Sequence, residues 1–571
     1  MTTHKSIPGF SIASLSTISA FAILLGGTAV SAQQTVTANQ LFSVSSNCQA
    51  CHNGMTEANG GDASIGVQWR ASIMANASND PYWRASVRRE TIDHPLADKA
   101  IEDKCATCHM PMARYTQKTN GQSGTVFAHL PDSFGRNAQP TAPFAKDGVS
   151  CSVCHQIQTD NLGTPESFTG GFQIASTQAA DAQSGRVIHG PFDIAAGVKN
   201  VMRSATGYTP QKSTHIQESE LCASCHTLYT HALDKHGNEV GVLAEQVPYL
   251  EWQHSDYNEA QSCQECHMQE TSGPTPIASV LGLPRDDVKK HIFMGGNAFL
   301  LSMLSKFATS LQTAATSSEL LRARDTSLVQ LTQNAATVSL SATPYTEEET
   351  HLTARVSISN LAGHKLPTAY PSRRVWIELK VTDQNGKTVF HSGRIQDGAI
   401  VENENDINLR KFEPHYDIIT DDTQVQIYEA ILGNPQNQVT TGLLEATHYI
   451  KDNRILPSGF DKDSASKDIA VNGAASTDDS FQDGEDIVTY QIGVSQPSQE
   501  YEITARLWYQ SIGYRWATNL DDYDVAEPKQ FIQMYRSMDL NTSATLLAET
   551  TLTISRSPLP QPDTPTDTDA E

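Results

Sequence analysis

Apolar residues change their spacing along this chain, from a helical period to a period of two. Between about residues 297 and 335 they recur every three or four positions, which predicts one or two amphipathic helices. Beyond residue 336 they alternate with polar residues, which predicts half-buried strands. The helical positions are Phe299, Met303, Phe307, Leu311, Leu320, Leu321, Leu328 and Leu331, and the alternating ones include Leu352 to Ile358, Val375 to Val381 and Ile503 to Tyr509.

The part of the chain before residue 297 has no convincing alternation. It predicts short helices joined by Gly-, Pro- and Asn-rich loops, at Val67–Met74, Pro81–Arg89, Leu96–Cys105, Ser219–Leu228 and Val247–His254. In the second half, Asp383-Gln-Asn-Gly386 between two alternating segments predicts a hairpin turn, and the many strands predict a β-sandwich. The predicted fold class is therefore α+β and multidomain, with a helix-and-loop domain at 33–297, a helical connector at 298–335, an all-β sandwich at 336–556 and a disordered acidic, Pro-rich tail at 557–571.

Residues 1–32 have the pattern of a secretory signal. A polar start with Lys5 leads into an apolar stretch around Phe21 to Leu25 and then to small residues ending at Ala32. The alternative is an uncleaved membrane anchor, which the shortness of the run and its Ser, Thr and Gly interruptions disfavour. We expect an exported protein, located in the periplasm, with the cell surface or the extracellular space as alternatives.

The charge excludes one class of partner. The 571 residues include 40 Lys and Arg against 64 Asp and Glu, a net charge of −24. A chain this acidic is repelled by nucleic acid, so we expect no nucleic-acid partner. Charge alone does not identify the partner that the protein does have.

All ten cysteines occur in one repeated pattern, C-x-x-C-H. This pattern is the attachment signature of c-type haem, because the two thiols form thioethers to the porphyrin and the adjacent imidazole becomes the proximal iron ligand. We therefore expect five covalently bound c-type haems. The predicted attachment and proximal residues are Cys48, Cys51 and His52; Cys105, Cys108 and His109; Cys151, Cys154 and His155; Cys222, Cys225 and His226; and Cys263, Cys266 and His267.

Three other uses of such cysteines fit less well. Zinc ribbons need two pairs per ion, so five pairs cannot be matched, and they do not need the following histidine. Redox dithiols occur once or twice, not five times with a fixed histidine. Disulfides between residues three apart are strained choices for stapling a fold.

The second axial ligand of each iron decides between electron transfer and catalysis, because a His or Met closes the iron whereas an open position admits a substrate. Between Phe42 and Leu301 the non-motif histidines are His94, His129, His189, His215, His231, His236, His254 and His291. Our preferred ligands are His215 and His291, followed by His129 and His94, whereas His231 and His236 lie in a polar loop. Met74, at the end of a predicted helix, is either a thioether ligand or a core residue.

The chain resembles a bacterial multihaem cytochrome c family, and is distantly similar to the tetrahaem cytochrome that serves hydroxylamine oxidoreductase, with a C-terminal immunoglobulin-like domain. The resemblance implies that the histidine of Gly363-His364-Lys-Leu-Pro367-Thr368 is a distal ligand reaching back from the β-domain; the alternative is a buried structural histidine. The segments that carry the resemblance are Ile101 to Pro111, Asp147 to Cys151, Tyr249 to Trp252, Ser262 to Met268, His291 to Asn297, Gly363 to Thr368, Tyr370 to Arg374 and Lys451 to Pro457.

These residues favour an electron carrier of a respiratory chain. The alternative is an oxidoreductase acting on a small nitrogen or sulfur compound at one open haem. Related pentahaem nitrite reductases use a C-x-x-C-K motif that this chain lacks, so nitrite reduction is not expected. Haem propionates would bring the net charge of the mature protein to about −30, so we expect redox partners with basic docking patches, contact with membranes only through partners, and leave self-association open.

Overall fold

The computed structural model describes residues 41–130, 141–175, 185–343, 345, 351–401, 403–494, 498 and 500–556. The signal predicted at 1–32 and the tail predicted at 557–571 lie outside the described residues. None of the helices within the described ranges is long and apolar enough to span a membrane.

The first part of the chain is built from short helices and loops. Its longest helix, α3, is stabilised at its start because the Asp80 carboxylate accepts hydrogen bonds from the amides of Tyr82 and Trp83, and because a proline occupies the first turn. The helices are Ser45–Gln49 (α1), Ile65–Arg70 (α2), Pro81–Asp93 (α3), Asp98–His109 (α4), Pro111–Thr119 (α5), Ala142–Lys146 (α6), Cys151–Cys154 (α7), Ala196–Thr206 (α8), Ser219–His226 (α9), Pro248–Gln253 (α10) and Cys263–His267 (α11).

This part also contains strands that the sequence pattern does not predict. They form three two-stranded sheets, of which β1 with β2 is parallel and the other two are antiparallel. His231 lies on β3 of a hairpin and not in a loop, because the pairing of β3 with β4 orders the polar stretch expected to be irregular. The strands are Arg186–Gly190 (β1), Tyr208–Lys212 (β2), Leu228–Leu233 (β3), Glu239–Gln246 (β4), Thr275–Pro276 (β5) and Pro284–Arg285 (β6).

Three helices follow at the position of the predicted connector: Ala298–Lys306 (α12), Ala308–Leu311 (α13) and Ser317–Asn334 (α14). A capping box fixes the start of α14, in which Thr316 and Glu319 satisfy each other's amides. The apolar side of α12, including Phe299 and Met303, packs into a core that it shares with Leu320 and with Phe531 from the far end of the chain. The connector is thus part of a hydrophobic core.

Two facing sheets form the β-rich second half. The larger has the strand order β15-β14-β9-β18-β19, with β10 pairing β9 and β16 pairing β14, and the smaller has the order β13-β17-β8-β7. The strands are Ala336–Ala342 (β7), His351–Asn360 (β8), Arg374–Asp383 (β9), Thr388–Ser392 (β10), Ile395–Gln396 (β11), Ala399–Ile400 (β12), Ile418–Ile419 (β13), Ile427–Gly433 (β14), Val439–Thr440 (β15), His448–Asp452 (β16), Glu485–Gly493 (β17), Glu500–Gln510 (β18) and Ala544–Ser555 (β19).

The register of the sheets follows the alternation of the sequence. On β8, Leu352, Ala354, Val356 and Ile358 are all fully buried, and they face a core formed with inward residues of β9, β17 and β18. The predicted hairpin is present, since β9 and β10 pair antiparallel around the turn at Asp383 to Gly386. Helices and strands together confirm the α+β fold class.

Helices within the β-rich half connect it to the first part of the chain. They are Glu404–Ile407 (α15), Tyr514–Thr518 (α16) and Ala526–Ser537 (α17). Helix α17 packs on α3 through the Tyr82 and Phe531 rings, 5.2 Å apart, and through a two-point ion pair between Arg88 and Glu527 with distances of 2.8 and 2.9 Å. The two halves therefore share one packed interface.

We predict that Ile503→Ala destabilises the β-sandwich by about 2–5 kcal/mol, because Ile503 is fully buried between the sheets. The matched control is Ile487→Ala, since Ile487 is 37% exposed on β17, and its cost should stay below about 1 kcal/mol. Chemical unfolding followed by circular dichroism measures both. Equal losses in the two variants would contradict the packing described here.

Candidate haem-binding sites

Each of the five C-x-x-C-H motifs lies on, or directly after, a short helix. The motif residues fall in α4, α7, α9 and α11, and at the end of α1. In a helical turn, residues separated by three or four positions share one face, so the two thiols and the imidazole of a motif point to the same side. The helices thus present each motif as a three-point attachment.

Backbone carbonyls orient four of the motif histidines. In each case the Nδ1–H donates to a carbonyl oxygen, which leaves Nε2 as the free nitrogen of the ring. The acceptors are Ile277 at 2.7 Å from His52, Ala77 at 3.3 Å from His109, His189 at 2.6 Å from His155 and Met294 at 2.6 Å from His267. The indole of Trp83 also packs parallel on the His109 ring, with centres 4.4 Å apart. This arrangement, with Nδ1 bonded and Nε2 free, is typical of a metal-binding histidine.

Two motif histidines face a second histidine from a distant part of the chain. The ring centres of His155 and His291 are 6.3 Å apart, and those of His267 and His364 are also 6.3 Å apart. His291 and His364 bond their own Nδ1 to the carbonyls of Lys289 and Lys365, at 3.0 and 2.9 Å. In each pair the Nδ1 atoms are engaged, and the two Nε2 atoms take no part in these hydrogen bonds.

The separation in both pairs fits an iron between two imidazoles. With each nitrogen about 2 Å from the metal, the two ring centres lie about 6 Å apart. Burial lowers the pKa of His291 to about 3, and that of His109 and His226 to about 4, so these rings are neutral at pH 7. Neutral imidazole is the form that binds a metal.

The other predicted ligands differ in how well their rings are satisfied. His94 is buried and neither of its ring nitrogens has a hydrogen-bond partner. Buried polar atoms are normally paired, so this is the state expected of a histidine that binds a metal. The Nδ1 of buried His129 also has no partner, whereas its Nε2 lies 3.3 Å from the Thr125 hydroxyl. By contrast, His215 bonds the Ser213 hydroxyl at 2.6 Å through Nδ1 and the Ile157 carbonyl at 3.0 Å through Nε2.

Met74 and His189 differ from expectation. The helix predicted at Val67–Met74 ends at Arg70, so Met74 lies in turns, where its carbonyl accepts from the Val149 amide beside the third motif. His189 is a candidate ligand from the sequence but not one of the preferred ones. Its carbonyl holds His155, and its buried Nδ1 has no partner. The position of His189 beside His155 depends on the pairing of β1 with β2. No sequence motif around His189 predicts it.

Cysteines of different attachment motifs lie near one another. Cys48 lies close enough to Cys151 to interact with it electrostatically, as Cys108 does with Cys225 and Cys222 with Cys263. Cys154 of the third motif also interacts electrostatically with both cysteines of the fourth. The five motifs therefore form one connected set, in which the fourth motif adjoins the second, the third and the fifth.

A separate cluster of ligand-type side chains lies in the β-sandwich. Ligand atoms of His415, Asp478 and Asp486 are within 4.8 Å of one another among the described residues. However, the amides of Gln426 and Asn453 both donate to His415 Nδ1, at 2.8 and 3.0 Å, so Nε2 carries the hydrogen and donates to Asp478 at 2.9 Å. A metal on Nε2 would need the opposite tautomer. We therefore interpret this cluster as a satisfied hydrogen-bond network.

Comparison with known proteins adds one likeness. No protein-family model matches the chain, and no curated protein matches it. Among solved structures, the chain is similar to a pentahaem cytochrome c552 from Thermochromatium tepidum, with 13% sequence identity over 90% of this chain and 100% of that chain, at a TM-score of 0.48. A likeness at this level leaves the function to be argued from the residues themselves.

We predict that His291→Ala and His364→Ala each convert one low-spin haem of the ferric protein into a high-spin haem, because each removes one ring of a facing pair. Electron paramagnetic resonance with spin quantification measures this change. His236→Ala is the control, since His236 is exposed in the turn between β3 and β4. Unchanged spectra in both ligand variants would show that the facing rings do not share an iron.

Proposed function

We propose that this protein is a multihaem c-type cytochrome that carries electrons through five covalently attached haems outside the cytoplasm. The observation that carries the proposal is the repeated C-x-x-C-H motif together with the two facing histidine pairs, His155 with His291 and His267 with His364. When bound, haem supplies reversible one-electron redox chemistry.

The chain's own residues have three roles in this proposal. The ten motif cysteines attach the cofactor, the five motif histidines are its proximal ligands, and His291 and His364 are distal ligands. His94 and His129 are the next distal candidates, since each has a buried ring nitrogen without a partner. His215 and Met74 stay predictions, and His215 would have to give up one of its two hydrogen bonds to bind iron.

The connected set of attachment motifs supports a carrier over five isolated sites. Cysteines of the first motif interact electrostatically with those of the third, and cysteines of the fourth with those of the second and fifth. Redox centres that exchange electrons must lie close together, and the attachment points of these motifs are near one another. The acidic surface, with a net charge of −24, favours a redox partner with a basic patch.

One observation favours a second candidate, an oxidoreductase with a single open haem. Within the described ranges, no second histidine ring faces His52, His109 or His226 at the separation found in the two pairs. An iron on one of these three histidines would then be available to a small nitrogen or sulfur compound.

We predict that the mature protein has the mass of its chain plus five haems, and that replacing both Cys263 and Cys266 by Ala removes one haem mass. The reason is that each motif anchors one porphyrin through two thioethers. Denaturing mass spectrometry of protein produced with haem-attachment machinery measures both values. Five haems retained in the double variant would contradict one haem per motif.

We predict that the ferric protein is wholly low-spin and that its spectrum does not change with nitrite, hydroxylamine or sulfite, as expected of a carrier whose irons all have two strong ligands. Electronic absorption spectra test this directly. A high-spin component that shifts on adding one of these compounds would favour the oxidoreductase and exclude a pure carrier.

A further inference from the structure

Four charged side chains are buried together where α10 meets the loop that carries His364. Glu251 and Lys365 are 0% exposed, Asp452 is 1% exposed and Arg454 is 5% exposed. Two positive and two negative charges leave the group neutral. Buried charges are tolerated only when they are paired and hydrogen-bonded, so each member depends on the other three.

Asp452 is the centre of this group. It accepts a two-point hydrogen bond from Arg454, with both distances 2.8 Å, and a third bond from Lys365 Nζ at 2.8 Å. Burial raises the pKa of Asp452, but Arg454 and Lys365 outweigh it and hold that pKa well below its usual range. Both cations are thereby fixed in place by one carboxylate.

Glu251 joins the charged group to the His364 loop. Its Oε1 lies 2.9 Å from Arg454 Nη1 as an ion pair, and its Oε2 accepts from the Lys365 amide at 3.2 Å and from the Thr368 hydroxyl. The carbonyl of Lys365 is the acceptor for His364 Nδ1. One carboxylate from α10 therefore holds the backbone of Lys365, the residue whose carbonyl orients the His364 ring.

The same region of the first half touches the loop at two further points. Ser255 and Tyr257 donate to the carbonyls of Gly363 and Leu361, at 3.3 and 3.1 Å. A Cβ on Gly363 would approach the Tyr257 side chain to 3.1 Å, so the glycine permits this close approach. The loop is thus pressed against the segment that leads into the fifth motif, where His267 lies.

We propose that Glu251 is a positioning residue for the fifth haem. Glu251 holds His364 at its distance from His267, and it thereby couples the β-sandwich to the redox state of that iron. This inference rests on the proposed function. His364 also interacts electrostatically with Glu251, so the negative charge of the Glu251 carboxylate acts on the His364 ring. Removing that negative charge favours the reduced, less positive iron and raises its potential.

The test compares Glu251→Ala, Glu251→Gln and His364→Ala in the full holoprotein. In Glu251→Ala the loop loses its anchor, and we expect up to one haem equivalent to become high-spin and to return to low-spin when imidazole is added. Glutamine keeps an acceptor for Lys365 and Thr368, so Glu251→Gln should stay low-spin while one of the five midpoint potentials shifts upward. Spin quantification and a spectroelectrochemical titration measure these effects.

The matched control is Glu259→Gln, because Glu259 is an exposed acid eight residues further along the same segment. It should change neither spin state nor potential. If Glu251→Ala does not fold, the midpoint potentials of Glu251→Gln test the positioning role, since that near-isosteric change preserves the packing.

The outcomes separate the two levels of inference. Wholly low-spin spectra in His364→Ala would refute the proposed ligand pair, and this proposal with it. A high-spin haem in His364→Ala beside unchanged spin states and potentials in both Glu251 variants would overturn the positioning role alone. A purely structural role would lower thermal stability without moving either the potential or the spin state.

Discussion

Two imidazoles can share one iron only at a fixed separation, and the two facing histidine pairs of this structure meet that requirement. A motif histidine can supply one ring locally, but the second ring has to come from elsewhere in the chain. His291 follows its partner His155 by more than a hundred residues, and His364 belongs to the other half of the molecule. Holding two such rings at one separation requires rigid packing, and for His267 and His364 that packing is between the two halves.

Buried charge supplies part of that rigidity. A hydrophobic contact such as Phe531 against Tyr82 tolerates small shifts, whereas an ion pair between fully buried groups loses much of its free energy when one partner moves. Glu251 and Arg454 come from opposite sides of the interface and meet beside the His364 loop. Their pairing fixes the loop more sharply than apolar packing alone could do.

Secondary-structure elements that depend on neighbouring residues could be predicted from the sequence. The hairpin at Asp383 to Gly386 follows from its turn residues, and the burial of Val356 and Ile358 follows from alternation. Elements whose order comes from pairing could not. The polar stretch around His231 became a strand because β4 lies beside it, and α17 forms inside the β-rich half because its apolar face packs against α3. Local secondary-structure propensity does not decide the structure of a segment whose hydrogen bonds or burial come from a partner far away in the sequence.

The sequence by itself determined the five C-x-x-C-H motifs, because two thiols and an imidazole at that spacing lie on one face of a short helix. It also determined the change from helical to alternating periodicity, which is a property of neighbouring residues. Only the tertiary structure decided which histidines face each other and which are already satisfied, as His215 is and His94 is not. The reason is physical: an axial pair depends on distance in space, and residues such as His267 and His364 become neighbours only when the two halves pack together.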